Sequence, residues 1–256
     1  MKTPPLKLKH LIETVMNFVF FSCGVVSILF VVFITLYLFY AGLPAILEIG
    51  LVDFLFGREW KPTSSSDPQF GILPFILSSL AATFGSALIG VPVGLLMAIF
   101  LAKIAPAKVA TVVRSGVSLL AGIPSVVYGL VGMMLLLPTV ANVFNLSKGS
   151  GLFSAIIVLA VMILPSIISV SETALRAVPR EYEEASLALG GSHLETIFKV
   201  SLPAARSGIT AGVVLGIGRA IGEAMAVMMV AGNVANMPAL FSSVTLLTTA
   251  VAKDMG

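Results

Sequence analysis

Charge is scarce in this sequence. Only 11% of its 256 residues are Asp, Glu, Lys or Arg, against ~25% in an average soluble domain, while 58% are hydrophobic and mean hydropathy is +1.08. That balance excludes an ordinary water-soluble domain and points to the bilayer as solvent. Cysteine is almost absent. Cys23 stands alone, so an intrachain disulfide or a Cys-rich metal site is excluded, and inside an apolar run it reads as a small buried hydrophobe. His10 and His193 are far apart and lack the spacing of a zinc or di-iron site, so no metal is expected. No G-x-x-x-x-G-K-[ST] occurs, so the chain has no P-loop to hold ATP; any ATP–Mg it depends on is bound by a partner ATPase, and the chain itself carries no cofactor. The net charge of +3 is dispersed and no basic–aromatic cluster is present, which argues against nucleic acid.

What the sequence has in abundance is long apolar runs. Those at 14–43, 73–102, 115–137, 151–170 and 207–230 each meet the ~20-residue length of a membrane span, about five in all. The first exceeds a signal-peptide core and lacks a clear small-x-small cleavage site, so it reads as a retained helix. Basic residues orient the bundle: Lys2, Lys7 and Lys9, then Lys103, Lys108 and Arg114, then Arg176, Arg180, Lys199 and Arg206 share one side, which the positive-inside rule makes cytoplasmic. The N-terminus is then cytoplasmic and the C-terminus external. Trp60, in the outer loop, is placed to anchor at the interface. The apolar part of the tail, 239–252, is too short to cross and reads as a partly buried external helix or loop. With no internal repeat, 1–256 is treated as a single transmembrane domain with a cytoplasmic loop at 172–206.

That loop has its own grammar. Pro179 opens a helix whose first turn carries Glu181, Glu183 and Glu184, suited to the positive end of the helix dipole. Gly190 and Gly191 stop it. Ser192 with Glu195 three residues later forms an S-x-x-E capping box for a second helix, and Pro203 marks the passage to the last span. The hairpin so formed either covers the inner ends of the spans or docks a partner.

The spacing Glu184-Ala185-Ser186, Gly190, Val200-Ser201-Leu202-Pro203 resembles the EAA signature of ABC-transporter permeases, with Ser186 in place of the second alanine and Val200 in place of isoleucine. The resemblance implies that Glu184, Ala185, Ser186, Gly190, Leu202 and Pro203 belong to a coupling segment that docks on a cytoplasmic ABC ATPase dimer. The segments "FLFGREWKP", "FGILPFI", "GVPVGLLMAIFLAKIAP", "GIPSVVYGLVG" and "GIGRAIGEAMAVMMVAGN" resemble the phosphate-importer branch, PstC-type subunits more than the PstA-type sister. This implies an all-α, polytopic bundle of the MetI-like, type I ABC importer kind in the bacterial inner membrane. It also implies a sister permease subunit as heterodimer partner and an external phosphate-binding protein. The family's sixth span is expected to be missing here, which leaves a truncated, non-transporting or regulatory subunit as one alternative; because the EAA pattern is silent on substrate, a permease for another oxyanion such as molybdate or sulfate is another. A membrane-embedded enzyme is disfavoured, since the spans lack clustered titratable groups.

Within the last run, Arg219 and Glu223 are four apart, so in a continuous helix they share a face with the Gly212-x-x-x-Gly216 packing motif. Two readings follow. The pair fixes helix register as an internal ion pair, or Arg219 is a transient phosphate ligand whose grip Glu223 moderates; the family resemblance favours the second. Pro92, Pro124 and Pro165 invite kinks that serve packing, and Ser125, beside Pro124, is a candidate for the pathway wall.

Overall fold

The computed structural model describes residues 6–65 and 67–254, with side chains from Glu13 onward. Lys2, and the side chains of Lys7 and Lys9, on which the orientation partly rests, lie outside that description. Where the sequence was treated as a single domain, the structure forms two compact units divided after Phe56.

The first unit holds α1 (Leu6–Ile49) and α2 (Leu51–Phe56). Apolar residues cover every side of α1, so no face is reserved for a core of its own, and its side chains from Glu13 on are almost all exposed. Its few polar side chains return to their own backbone: Ser27 donates to the Cys23 carbonyl and Thr35 to that of Val31, both at 2.8 Å. Cys23 is exposed, contrary to the buried position expected for it, because this unit has no second long helix to cover α1.

The second unit begins with a short antiparallel ribbon, β1 (Trp60–Lys61) with β2 (Gln69–Phe70). Trp60 is committed to packing, edge-on to Phe70 and Phe75 at 6.1 and 5.4 Å between ring centroids. The helices follow: α3 (Leu73–Ile99) with a π-helical end at Phe100–Ile104, α4 (Ala107–Gly122), α5 (Ser125–Val131) with a π turn at Gly132–Leu136, and α6 (Leu137–Val143). Next come α7 (Leu152–Arg176), the hairpin α8 (Arg180–Ala188) and α9 (His193–Thr196), a π turn at Ile197–Ser201, and α10 (Leu202–Ala204). The chain closes with α11 (Arg206–Gly222), α12 (Met225–Val230) and α13 (Leu247–Asp254). Among the described residues four helices are long and apolar enough to span, or five if the 72° bent pair His193–Ala204 and Arg206–Gly222 is one span.

At the centre stands α7, buried along most of its length. Two stripes of small residues let helices close on it. On α3 the buried positions Ser78, Ala82, Ser86, Gly90, Gly94 and Ala98 recur every fourth residue, a seam the sequence reading missed. On α11, Gly212, Gly216 and Ala220 are buried. Isoleucines of α7 fill both seams: a Cβ on Gly90 would lie 2.6 Å from Ile163 Cδ1, and one on Gly216 would lie 2.8 Å from Ile167 Cγ1. The Gly212–Gly216 motif is therefore spent inside the chain, on α7. Gly216→Leu should overpack this seam and destabilise the fold by ~1–3 kcal/mol. Gly218→Leu, with nothing within 4 Å of its Cβ, should leave the melting temperature of the purified chain nearly unchanged; thermal unfolding in detergent checks both.

Two expected spans are not continuous. The run 115–137 breaks at Ile123 and Pro124, whose ψ values of 128° and 141° are extended, so the helix restarts at Ser125. Proline lacks the donor and disfavours helix in the residue before it. The run 207–230 breaks at Glu223 (φ −77°, ψ 125°). Pro92 and Pro165 by contrast sit inside α3 and α7 without ending them. The 172–206 loop begins later than expected, because Glu172 to Arg176 continue α7. The tail 239–252 matches its reading in part, with α13 partly buried.

Candidate functional site

Two broken helices meet. A Cβ on Gly129 of α5 would lie 2.7 Å from Met229 Sδ and 2.9 Å from Ala226 Cα of α12, so the restarted halves touch backbone to backbone. Ser125 is half-buried at the first position of α5, and the Tyr128 hydroxyl donates to the Leu120 carbonyl at 2.7 Å, bridging the break in its own helix. Arg219 stands one turn before the break in α11, half-buried and within electrostatic range of Tyr128.

Arg219 and Glu223 do not pair. Because α11 ends at Gly222, the i,i+4 geometry never forms, and Glu223 is drawn instead to the start of α12, where its Oε1 accepts the Ala226 N–H at 3.0 Å. A carboxylate there satisfies an orphan donor and the helix dipole together. The Glu223 carbonyl, left over by the break, accepts from Thr248 Oγ1 at 2.8 Å. Arg219 has no hydrogen-bond or ion-pair partner among the described residues. It also flanks the packed stripe rather than lying on it, since the buried residue is Ala220.

The α8–α10 hairpin is built as its sequence requires. Pro179 precedes α8, and Gly190 takes φ +86° to end it. The capping box closes in both directions: Ser192 Oγ accepts the Glu195 N–H at 3.3 Å and Glu195 Oε2 accepts the Ser192 N–H at 3.2 Å. Ser186 hydrogen-bonds Thr196 at 2.9 Å, which ties the helices together where the EAA pattern has alanine. Leu202 packs inward beside Ile197 and Ala205, Pro203 is exposed at the bend into α11, and Glu184 and Ala185 face outward. The hairpin also exposes large apolar side chains: Leu189 is 90% exposed, and Tyr182, Leu194 and Phe198 are exposed as well. A shallow cleft of about 370 Å³ lies among Tyr182, Ala185, Leu189, Glu195 and Lys199.

The residue that fastens this hairpin to the bundle is Glu183, one position before the motif's glutamate. It accepts hydrogen bonds from Lys103, at the π-helical end of α3, and from Ser201 Oγ at 2.8 Å. Burial alone would raise its carboxyl, but those bonds and the Lys103 and Arg180 charges outweigh it and hold the group below its ordinary value. A depressed carboxyl adds stability that is complete above the unfolded pKa, ~4.3, and is lost as pH falls through the folded one. The melting-temperature difference between the unmodified protein and Glu183→Gln should thus be present at pH 7 and shrink steadily on acidification below the ordinary glutamate range.

A second unforeseen cluster joins α4, α7 and the end of α3. Glu172 is 5% exposed, and its Oε1 accepts from Arg114 Nη2 at 2.7 Å, Arg114 Nε at 3.1 Å and Arg176 Nε at 2.8 Å, while Arg176 Nη2 donates to the Leu101 carbonyl at 2.8 Å. The four-residue interval from Glu172 to Arg176 was the available signal. Arg114 comes from 58 residues away, which no local pattern shows. Among the described residues no group of His, Cys, Asp and Glu is arranged to hold a metal ion.

Comparison with known proteins adds the following. Residues 90–251 match the family model described as binding-protein-dependent transport system inner membrane component. A probable ABC transporter permease protein, YqgH, of Bacillus subtilis (strain 168) is 41% identical over 238 residues, covering 92% of this chain and 77% of that protein. The phosphate transport system permease protein PstC of Pasteurella multocida (strain Pm70) is 31% identical over 222 residues, covering 79% and 68%. PstC 1 of Mycobacterium tuberculosis (strain H37Rv) is 33% identical over 238 residues, covering 80% and 70%. Among solved structures, a chain of the inward-facing MetNI methionine ABC transporter is 27% identical with a TM-score of 0.52, covering 63% of this chain and 73% of that one.

Proposed function

The chain belongs to the family of binding-protein-dependent transport system inner membrane components, and we propose that it conducts inorganic phosphate. It is an integral inner-membrane, type I ABC importer permease with the MetI-like fold, not an enzyme, and it works with an ATPase and a sister permease. In our reading the cargo is phosphate, delivered by an external phosphate-binding protein. The N-terminus and the α8–α10 hairpin face the cytoplasm, and ATP–Mg is bound and hydrolysed by the partner ATPase.

The observation that carries this reading is Arg219. An arginine within a span costs ~2.5–3.5 kcal/mol on insertion scales, and among the described residues no carboxylate pairs with this one to offset it. It lies at the junction of two broken helices, the arrangement in which irregular backbone lines a cavity rather than lipid. A guanidinium keeps its charge and presents a planar fork matched to phosphate oxygens. The PstC relatives, named as phosphate transport permeases, support the same cargo. Glu223 acts through structure, by starting α12 and so fixing where the break falls, and Ser125 is the first residue of α5.

The test is labelled phosphate uptake in cells lacking their own high-affinity importer, supplied with this chain, a sister permease, an ATPase and a binding protein. Uptake displaced by unlabelled phosphate and not by sulfate or molybdate is the expected result. Displacement by sulfate or molybdate would replace phosphate with another oxyanion.

A further inference from the structure

We propose a second oxyanion site at the hairpin end of the bundle, remote in sequence from Arg219 and held by Arg114 and Arg176. The two guanidinium groups converge because they share one acceptor, Glu172 Oε1, at 2.7 and 2.8 Å. Their charges sum to +2 against the carboxylate's −1, so the cluster keeps a net positive charge. The donor count is equally lopsided. A guanidinium has five N–H groups; Arg114 spends the one on Nε and one on Nη2, and Arg176 spends the one on Nε and one on Nη2 toward Leu101. Three on each side chain remain without a partner among the described residues.

Those donors have a place to act. Arg114, Arg176 and Glu172 line a cavity of about 390 Å³ together with Ser118, Ser169 and Thr173, whose walls are about equally polar and apolar. Both arginines are half-exposed, at 44% and 48%, whereas Glu172 is 7% exposed in its side chain. The carboxylate thus forms the floor and the guanidinium groups the rim. This orientation presents forked donors outward and keeps the repelling negative charge behind them. Tetrahedral phosphate oxygens suit such a pair, each fork taking two oxygens while a hydroxyl takes another. A purely structural ion triad would need neither the surplus charge nor the hollow in front of it.

The ligand class is a phosphate oxyanion, supplied either as free phosphate or as the headgroup of an anionic lipid. The free-phosphate source rests on the phosphate-import reading, in which this site would receive cargo near the hairpin. The lipid source does not.

Binding of radiolabelled inorganic phosphate to the assembled permease–ATPase complex tests it, in phosphatidylcholine nanodiscs and with Arg219→Gln as background so that Arg219 cannot contribute. Two variants are compared: Arg114→Lys, which keeps a positive charge beside Glu172 and loses the fork, and Ser118→Phe, which fills the cavity while replacing none of the three charged residues. Retained saturable binding in the background, weakened at least tenfold by both variants, is the expected result and identifies free phosphate. Retention of phosphatidylglycerol through purification, read by native mass spectrometry and lost in both variants, supports the site with lipid as its source. Phosphate binding and lipid retention both indifferent to the two variants would overturn it. An uptake assay that shows sulfate as cargo would overturn the transport reading while leaving the lipid measurement to decide this site.

Discussion

Arg219→Gln should reduce phosphate uptake by on the order of 100-fold while the chain still assembles with its sister permease and ATPase. A hundredfold loss corresponds to ~2.7 kcal/mol at 1.36 kcal/mol per tenfold, which is what removing a charged, forked donor from a passing anion would forfeit. Glutamine keeps a hydrogen-bonding side chain and removes an unpaired charge from a span, so folding should not suffer. Arg219→Lys keeps the charge but not the fork and should fall between the two. Glu223 separates this reading from the ion pair that a continuous helix would form. In the structure Glu223 caps α12, so Glu223→Gln, whose amide oxygen still accepts from Ala226, should retain most uptake, and Glu223→Ala should lose about 0.5–2 kcal/mol of stability as a lost cap. Uptake and co-purification measured together on the four variants check the scheme. Loss of assembly in Arg219→Gln would return the residue to a structural role.

The second large effect is expected at the hairpin. Leu189→Glu and Phe198→Glu should each lower recovery of the ATPase with the permease at least tenfold, and uptake with it, while the melting temperature of the isolated permease stays put. Both side chains are exposed in this chain, Leu189 at 90%, so neither contributes to its core. Leu189 and Tyr182 line the cleft, exposed apolar residues on such a surface mark an interaction site, and a charge buried without a partner in the interface costs several kcal/mol on binding. Glu184→Gln, on the same outer face and unpaired among the described residues, should have a smaller effect, because rim charges mainly alter association rate.

The sequence by itself determined whatever follows from local chemistry. Length and apolarity of the runs located α1, α3 and α7, and proline, glycine and the Ser192–Glu195 box wrote the hairpin nearly residue by residue. The EAA spacing identified the family to which the chain belongs. Tertiary structure decided the rest. An isolated pattern cannot show that Gly222–Glu223 ends a helix rather than continuing it, because the choice depends on the Ala226 N–H and the Thr248 hydroxyl that take up the freed groups. Nor does any pattern show which partner a glycine stripe meets: Gly212 and Gly216 pack against α7, whose Ile163 and Ile167 also fill a second seam on α3 that went unread among ordinary small residues. Arg114 and Lys103 looked like orientation charges; folding across 58 and 80 residues made them the partners of Glu172 and Glu183. Helices and turns are set by interactions a few residues long, whereas ion pairs and seams are set by which helices lie side by side, and that is fixed by packing all of them at once.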